Sequence, residues 1–418
     1  MSTYLPYLVG HIYLNNLHTL PVPDNFQKGN YLVYWWKKIP LGHVFIKPNE
    51  TVSEEEYYRK IITALQPNLD YYRKKQPGAA LVSWPQWLLD HNFAALDIWL
   101  EAILEPLIPS NLPSRVPVSI IICTRNRVPE LTQCLSSIQQ MVCQPSEVIV
   151  VDNAPNDNST ETYVNSLPGI KYYKEPKAGL SHARNRGIRL ASNALVAFTD
   201  DDVEVDSEWI YHIWETFKDK QVAAMAGLVF AAELESESQY IFEKYWSFNR
   251  GYQEKQYDNT FIQETLPQGP PVWKIGAGAN MAYRKEVFKE VGFFDERLGA
   301  GASGCNEDSE MWYRILLKGH TILYTPRAIV THKHRTNLKA LYEQLYSYMR
   351  GFTAAAFIQQ HQNTNAGYMR HLFSTLPKYY FRLMLREFPN KKSRSRTVWI
   401  EVKGMISGLA FYLRNNKK

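Results

Sequence analysis

The sequence predicts an α/β fold in which a parallel sheet is covered by helices. From Val118 onward, short apolar runs alternate with amphipathic stretches, a pattern typical of strands and helices that follow one another. The runs VSIIIC and EVIVVD do not alternate apolar and polar residues, as a strand with one solvent-exposed face would. This pattern favours parallel strands that are buried on both faces. With 418 residues, of which 45% are hydrophobic, the chain can bury a large core.

Residues 1–112 are expected to form a separate α+β module. The stretch YLVYWWKKIPLGHVFI predicts two strands around a Lys-Lys-Ile-Pro turn, and SEEEYYRKIITAL predicts a helix with a capping box of Ser53 and Glu56. The proline-rich segment EPLIPSNLPSRVP then interrupts regular structure. We therefore place a domain boundary in that segment.

Polar side chains mark the ends of three predicted strands. Thr124 ends the first strand, Asp152 ends the second, and Asp200 ends the run ALVAFTD. Because ligands of open α/β sheets bind where the carboxyl ends of the strands meet, we expect these side chains to surround one crevice. A dinucleotide-binding site is not expected, since TRNRVPEL follows the first strand where GxGxxG would be needed, and no Walker loop occurs.

Three carboxylates follow one another in FTDDD. In an extended strand end, Asp200 and Asp202 project to the same side and Asp201 faces away. Two carboxylates about 5 Å apart repel by roughly 3 kcal/mol at an effective dielectric constant near 20, so an ordered pair favours a bound cation. Oxygen ligands suit Mg²⁺ or Mn²⁺, which also bind diphosphate groups. The alternative is an acidic loop that caps the helix beginning near Asp206.

Seven motifs follow one another along the chain: VSIIICTRNR, VIVVDNAPND, GLSHARNRGI, FTDDD, GFFDERLG, NEDSEMWYR and PRAIVTH. In this order they resemble the motifs of the inverting family 2 glycosyltransferases. The resemblance implies the GT-A fold, a Rossmann-like mixed sheet flanked by helices, over a catalytic domain at residues 117–335. It also implies a UDP-sugar or other nucleotide-diphosphate sugar as donor, a Mn²⁺ or Mg²⁺ ion, and transfer with inversion at the anomeric carbon. Cys123 departs from the family, which usually has proline there.

The same resemblance implies roles for individual residues at the sheet edge. Asp152 matches the position that hydrogen-bonds the nucleobase, and Asp202 matches a metal ligand. His332 matches a metal-binding or diphosphate-binding histidine, with an ordinary strand-end histidine as the alternative. The residues that match nucleotide-binding positions are Thr124, Arg125, Asp152, Arg184 and Asp200.

Inverting transfer in a single displacement requires a base that takes the proton of the attacking hydroxyl. Asp308, in NEDSEMWYRILLKG, matches the family's base position, and Glu307 is expected to support it near the acceptor. The alternative is that both acids only complement the dipole of the helix that they begin, which is worth about 0.3 to 1 kcal/mol each.

Residues 231–272 and the tryptophan that follows are candidates for the acceptor site. Aromatic rings stack on sugar faces, so Trp246 and Trp273 are proposed to contact an acceptor. Packing in an ordinary core is the alternative for both.

The C-terminal region, residues 336–418, is expected to be helical and basic. From Ala366 to the end, twelve Lys or Arg residues stand against two acids. An amphipathic segment that binds an anionic membrane surface would explain the interleaved aromatic and basic residues, and a helical hairpin packed on the catalytic domain would explain them equally well. Nucleic acid is not an expected partner, because the chain offers no module that binds it.

The sequence thus predicts a glycosyltransferase that transfers a sugar to a glycan or lipid-linked acceptor during surface polysaccharide or cell-wall synthesis. No apolar run approaches the roughly 20 residues of a membrane span, and the start of the chain lacks a signal-peptide pattern. We expect a cytoplasmic enzyme, in contact with the inner face of the cell membrane if its tail binds lipid. A nucleotidyltransferase and a catalytically inert nucleotide-sugar-binding relative are the alternatives.

Overall fold

The computed structural model describes residues 4–23, 26–387 and 394–416. Within these residues the strands form a three-stranded sheet and a nine-stranded sheet. The smaller sheet contains β1 (Tyr7–Tyr13), β2 (Gly29–Trp36) and β3 (Ile39–Ile46). The larger sheet contains β4 (Arg115–Thr124), β5 (Gln144–Asn153), β6 (Ile170–Glu175), β7 (Leu195–Asp200), β8 (Val203–Val205), β9 (Val222–Ala231), β10 (Lys255–Tyr257), β11 (Asn280–Arg284) and β12 (Thr321–His332).

Helices precede, flank and follow the larger sheet. The N-terminal helices are α1 (Glu54–Lys74), α2 (Trp84–Leu89) and α3 (Phe93–Leu104). The helices between its strands are α4 (Val128–Gln139), α5 (Ser159–Asn165), α6 (Leu180–Leu190), α7 (Trp209–Thr216), α8 (Glu237–Trp246), α9 (Asn259–Thr265), α10 (Val287–Val291) and α11 (Glu307–Leu317). The C-terminal helices are α12 (Leu338–Gln362), α13 (Tyr368–Arg370), α14 (Leu376–Glu387) and α15 (Val398–Asn415).

The larger sheet is mixed, with the order β10-β12-β9-β11-β7-β4-β5-β6 and with β8 paired to β12. Strands β4 to β7 run parallel to one another. Strand β11 runs antiparallel to both β7 and β9, so β9 and its parallel neighbour β12 share the direction of β4 to β7. The expectation of a parallel sheet therefore holds for six strands, and the antiparallel β8, β10 and β11 make the sheet mixed.

The buried strands of this sheet send alternate side chains into two separate cores. On β4, Ile120 and Ile122 pack with Leu131 and Leu135 of α4, whereas Ile121 packs with the residues of α6 and α11. This alternation follows from the two-residue period of a strand. It explains why VSIIIC is apolar at nearly every position, because helices cover both faces.

The predicted N-terminal hairpin is confirmed, since β2 and β3 pair antiparallel on either side of Lys37 and Lys38. All residues of β2 are buried because both of its faces are covered. Tyr34 and Trp36 pack against the N-terminal helices, and Tyr31 and Trp35 pack against strands β9 and β12 of the larger sheet. Of the predicted capping box, the Ser53 hydroxyl accepts a hydrogen bond from the Glu56 amide at 3.2 Å.

The C-terminal helices pack across the carboxyl edge of the larger sheet. Helix α15 lies against α12, where Gly404 and Gly408 face the backbone carbonyls of Tyr346 and Arg350. A β-carbon at Gly408 would stand 2.3 Å from the Arg350 carbonyl oxygen, so the close approach of the two helices requires glycine there. In the part of the chain that the structure describes, no helix combines the length and the apolar character needed to cross a membrane.

Candidate active site

A cavity of about 960 Å³ opens at the carboxyl edge of the larger sheet. Strand ends, the turn at residues 276–278 and the start of α11 form one side, and residues of α12, α14 and α15 form the other. The structure brings ten of the eleven predicted site residues to its wall. They are Thr124, Arg125, Arg184, Asp200, Asp202, Trp246, Trp273, Glu307, Asp308 and His332.

Asp152 is the predicted site residue that does not line this cavity; its neighbour Asn153 does. Asp152 is fully buried at the end of β5, where its Oδ2 accepts a hydrogen bond from the Tyr172 hydroxyl at 3.1 Å. Its Oδ1 is buried and has no hydrogen-bond partner among the described residues. Burial raises the pKa of the Asp152 carboxyl, and the hydroxyls of Tyr172 and Thr160 oppose that rise.

The aspartate triplet spans the end of β7 and the turn that follows it, so strand alternation stops at Asp200. The prediction that Asp201 faces away from the site is therefore wrong. Asp201 is buried, lines the cavity, and accepts hydrogen bonds from Thr124 Oγ1 at 2.8 Å and Arg127 Nη1 at 2.6 Å. Arg127 also reaches Asp202, with Nη2 2.9 Å from Oδ2.

The pKa values of the neighbouring carboxyls of Asp201 and Asp202 are shifted in opposite directions. Burial raises the pKa of Asp201 to about 7, although Arg127 favours its ionised form. Burial also acts against the charge of Asp202, but His332 and Arg127 outweigh it and hold the pKa of this carboxyl below its usual value. Asp202 is thus the more strongly anionic of the two at neutral pH.

A buried arginine connects the end of β7 with the start of α11. Arg184 Nη1 lies 2.5 Å from Glu307 Oε1, and Nη2 lies 3.5 Å from Asp200 Oδ1. Burial disfavours the charge of Arg184, but Glu307 and Asp200 outweigh this and raise the pKa of its guanidinium. Burial raises the pKa of the Glu307 carboxyl, which Arg184 opposes.

Asp308 stands in the first turn of α11 and is half-buried in the cavity wall. Its Oδ1 accepts a hydrogen bond from the Ser309 amide at 2.6 Å. Its Oδ2 faces Gly278, where a β-carbon would lie 3.3 Å from it and 2.9 Å from Arg184 Nη2. Glycine at position 278 therefore leaves an open path between the arginine and the carboxylate.

Asp202 and His332 form the pair that could hold a divalent ion. His332 ends β12, and its Nε2 lies 3.6 Å from Asp202 Oδ1. Burial lowers the pKa of His332 to about 4, so a neutral ring with a ligand lone pair is favoured at neutral pH. No cluster of three or more potential ligands from His, Cys, Asp or Glu occurs in the described ranges. One carboxylate and one imidazole fit an ion such as Mg²⁺ that takes its other ligands from water and substrate phosphates.

The two predicted acceptor tryptophans line the cavity beside the C-terminal helices. The indole nitrogen of Trp246 is buried with no hydrogen-bond partner in the described chain, and the guanidinium of Arg394 lies 5.3 Å from the Trp246 ring centre. Trp273 packs edge-on against Phe352 at 5.0 Å. Both rings thus combine packing with exposure to the cavity.

Among the residues that sequence reasoning missed are Arg127, which lines the cavity, and Glu243, which lies behind the cavity wall. Arg127 lies in the motif VSIIICTRNR, but only the left-handed turn at Asn126 directs it back toward the triplet. Glu243 lies on α8, behind the histidines of the β12 end. No spacing in the sequence relates Glu243 to residues about 90 positions later.

Residues 119–292 match the sequence model of a family described as glycosyl transferase family 2. Among similar proteins, a pre-mycofactocin glycosyltransferase of Mycobacterium tuberculosis (strain CDC 1551 / Oshkosh) is 27% identical over 245 residues, which cover 58% of this chain and 48% of that protein. The glycosyltransferase GlyA of Streptococcus pneumoniae serotype 4 is 24% identical over 223 residues, which cover 52% and 30% respectively. The chain thus spans about half or less of the length of these relatives.

Solved structures with a similar backbone include a mannosyltransferase and the protein TarS. The mannosyltransferase PcManGT from Pyrobaculum calidifontis, in complex with GDP-Man and Mn²⁺, has a TM-score of 0.47 and 16% identity, covering 74% of this chain and 92% of that one. S. aureus TarS 1–349 has a TM-score of 0.41 and 17% identity, covering 72% and 89%. Residues 119–292 are therefore similar in sequence to glycosyl transferase family 2, and the mixed sheet between helices is the GT-A fold.

Proposed function

We propose that this chain is an inverting glycosyltransferase that moves a sugar from a nucleotide-diphosphate sugar to a hydroxyl of a glycan or lipid-linked acceptor. The observation that carries the proposal is that Asp202 and His332 line the same cavity as Asp308. One cavity thus contains a carboxylate and imidazole pair and, apart from it, a second carboxylate. The family match supports the same chemistry.

The donor nucleotide is proposed to bind along the ends of β4, β5 and β7. Thr124, Arg125 and Asp200 lie at these ends, and Arg184 presents its second guanidinium nitrogen toward the turn at Gly278. The buried Oδ1 of Asp152, which has no partner among the described residues, supports a role for this carboxylate as the acceptor of a hydrogen bond from a nucleobase N–H group. We infer a UDP-sugar as the first donor to test.

The ion is proposed to be Mn²⁺ or Mg²⁺, held by Asp202 and His332. When bound, such an ion supplies positive charge to the departing diphosphate. Arg184 supplies fixed positive charge in the same cavity. Asp308 is proposed to accept the proton of the acceptor hydroxyl as that oxygen attacks the anomeric carbon. Glu307 holds Arg184 and orients the first turn of α11.

The acceptor is proposed to enter between the two tryptophans and the C-terminal helices. Trp246 offers a buried N–H group without a partner in the described chain, and Tyr379 and Arg394 line the same side of the cavity. An aromatic face with adjacent polar groups suits a sugar, which stacks one face and hydrogen-bonds at its rim. The acceptor in surface polysaccharide synthesis would then be a glycan chain.

The outer face of the C-terminal helices supports a lipid-linked acceptor. On α15, Trp399, Lys403, Ile406 and Leu413 form an exposed stripe, with the three apolar side chains 66%, 66% and 59% exposed. The only acids between Ala366 and the end of the chain, Glu387 and Glu401, are buried, and Glu401 pairs with Arg394. The described outer face is therefore apolar and cationic, which suits the anionic surface of a cytoplasmic membrane leaflet.

The test is a screen of nucleotide sugars for Mn²⁺-dependent binding, hydrolysis and transfer. Asp308→Asn should retain Mn²⁺-dependent UDP binding, because it removes only the proposed base. Its turnover should fall by a factor of about 10² or more, which is the usual contribution of a general base. Asp202→Ala should lose the metal dependence of binding. The matched control is Asp90→Asn, an exposed aspartate at the end of α2, which should behave as the unaltered chain.

Two results would contradict this function. Full turnover by Asp308→Asn would remove Asp308 from the mechanism. Release of pyrophosphate from a nucleoside triphosphate, with no nucleoside diphosphate from any sugar donor, would instead establish a nucleotidyltransferase.

A further inference from the structure

A chain of buried hydrogen bonds lies behind His332, on the side away from the triplet. His332 Nδ1 lies 3.1 Å from His334 Nδ1, and His334 Nε2 lies 3.0 Å from Glu243 Oε2. All three side chains are buried, with exposures of 7%, 3% and 5%. Buried polar groups in contact form a definite hydrogen-bond pattern, because an unpaired one is costly.

The positions of the hydrogens follow from the partners. Glu243 accepts at both oxygens, because its Oε1 faces the hydroxyls of Ser247 at 3.0 Å and Tyr31 at 3.4 Å. His334 then donates from Nε2 to Glu243 Oε2, and a ring that carries this one hydrogen offers a lone pair at Nδ1. His332 in turn donates from Nδ1.

We propose that Glu243 and His334 are positioning residues that fix His332 in the tautomer whose Nε2 lone pair faces Asp202. The inference deepens the proposed function, since it concerns the same metal-binding pair. A second carboxylate or imidazole behind a ligand histidine orients its ring and makes it a better ligand. His334 itself is not a ligand, because both of its ring nitrogens are engaged.

The surroundings of the two histidines keep this pattern isolated from water. Phe248 packs edge-on against the ring of His332 at 5.4 Å, and Phe242 lies 4.6 Å from the ring of His334. Hydrogen bonds in such an apolar environment are stronger than in water, and a broken one is more costly. The ring of His332 thus has little freedom to turn.

The same series of hydrogen bonds connects the N-terminal sheet to the site. Tyr31 lies on β2, is fully buried, and donates to Glu243 from the other side. Its neighbour on β3, His43, is 2.6 Å from the Tyr252 hydroxyl, which also accepts from Asn249. Residues 1–112 therefore support the metal-binding histidine through Tyr31.

The tautomer can be measured without any metal. In ¹⁵N-histidine NMR spectra of the folded, metal-free chain, His332 should carry its hydrogen on Nδ1 and show an unprotonated Nε2. A spectrum in which His332 carries hydrogen on Nε2 would overturn the proposal. Glu243→Gln and His334→Phe should change this pattern at His332 while the chain stays folded.

Binding of Mn²⁺, measured by electron paramagnetic resonance in the presence of UDP, gives a second readout. Glu243→Gln and His334→Phe should weaken Mn²⁺ binding by about 10- to 100-fold, and Tyr31→Phe should weaken it less. The matched control is Tyr57→Phe, which removes a buried hydroxyl of the N-terminal module that contacts Tyr34 instead. Unchanged affinity in a folded Glu243→Gln and a folded His334→Phe would refute the positioning role.

These measurements separate the inference from the proposed function. If Mn²⁺ binding depends on Glu243 and His334 but no sugar is transferred, the positioning role stands and the glycosyltransferase activity fails. If sugar is transferred and the variants bind Mn²⁺ as the unaltered chain does, the activity stands and the positioning role fails.

Discussion

Arg184 and Glu307 form a buried ion pair that joins the nucleotide side of the cavity to the proposed catalytic helix, with 2.5 Å between Nη1 and Oε1. Arg184 lies on α6 and Glu307 begins α11, so the pair ties together two helices that are 123 residues apart in sequence. Asp308 directly follows Glu307, and the position of the proposed base therefore depends on this contact.

We predict that removing one member of this pair destabilises the chain far more than removing both. Arg184→Met should lower the free energy of unfolding by about 3 to 5 kcal/mol, because it leaves the Glu307 carboxylate buried without a counter-charge. The double variant Arg184→Met with Glu307→Leu should recover most of that loss. Urea unfolding of the single and double variants measures the coupling, and additive effects would contradict it.

Acid stability should depend on Glu147, a buried carboxylate that links three strands of the larger sheet. It accepts hydrogen bonds from the Ser119 hydroxyl at 2.5 Å, Lys171 Nζ at 2.6 Å and the Ser192 amide at 2.9 Å. Burial acts against its charge, but these donors outweigh burial and lower the pKa of Glu147 to about 2.

Because this pKa lies below that of the unfolded chain, the ionised form stabilises the fold above about pH 4.5, and the benefit is lost as the pH falls toward 2. The contribution is roughly 2 to 3 kcal/mol at neutral pH. Glu147→Gln should remove that part of the pH dependence, and Ser119→Ala should remove a fraction of it. Urea unfolding at a series of pH values tests this. If the free energy of unfolding of Glu147→Gln falls with pH as steeply as that of the unaltered chain, the prediction is wrong.

The contact between α12 and α15 should fail when Gly408 gains a side chain. A β-carbon there would meet the Arg350 carbonyl oxygen at 2.3 Å and Thr353 Cβ at 2.8 Å. Gly408→Ala should therefore cost about 1 to 3 kcal/mol and expose α15 to proteases. Ser407→Ala, on the half-buried side of the same helix, is the control and should resist proteolysis as before. Equal resistance of both variants would mean that the helices can separate without cost.

Binding to vesicles with anionic lipid should depend on the exposed stripe of α15. Trp399→Ser with Ile406→Ser should weaken co-sedimentation about 10-fold or more, because two large apolar side chains no longer enter the interface. Lys403→Gln should weaken it by about 1 kcal/mol at low salt only. Leu81→Ser, which removes an even more exposed apolar residue of the N-terminal region, is the control.

If the unaltered chain instead forms a dimer and binds no vesicles, and the Trp399→Ser and Ile406→Ser variant loses that dimer, the stripe is a contact with a second copy of the chain. Sedimentation velocity in the absence of lipid makes that distinction. Vesicle binding that survives both serine substitutions would rule out the stripe as the lipid contact.

The sequence was most informative where a local pattern determines the structure. The period and length of the apolar runs predict strands β4, β5 and β7 and the helices between them. The same pattern predicts that β4 ends at Thr124 and that β7 ends at Asp200. The rule that ligands bind at carboxyl ends then predicted that Thr124 and Asp200 line the cavity. The family resemblance, and not this rule, suggested Arg184, Asp202, Asp308 and His332. The three antiparallel strands could not be predicted this way, because their pairing depends on contacts between distant segments.

The direction of individual side chains was less predictable. Asp201 was expected to face away because strand alternation was extended one residue past the end of β7, where the chain turns. Arg127 depends on the positive φ angle of Asn126, and Glu243 depends on how α8 packs beside β12. Each of these contacts is decided by tertiary packing and leaves no period or spacing in the sequence.

The fork of Arg127, which spans Asp201 and Asp202, gives the aspartate turn a counter-charge that belongs to the protein itself. The acids can therefore stay together during synthesis and folding with no divalent ion at hand, and chelators should leave the thermal midpoint nearly unchanged. A divalent ion at the proposed site of Asp202 and His332 would instead share the Asp202 carboxylate with this tethered guanidinium, which contacts Oδ2. The apparent affinity for the ion would then include the free energy of weakening the contact of Arg127 with the carboxylate, because the acidic site already has a counter-charge.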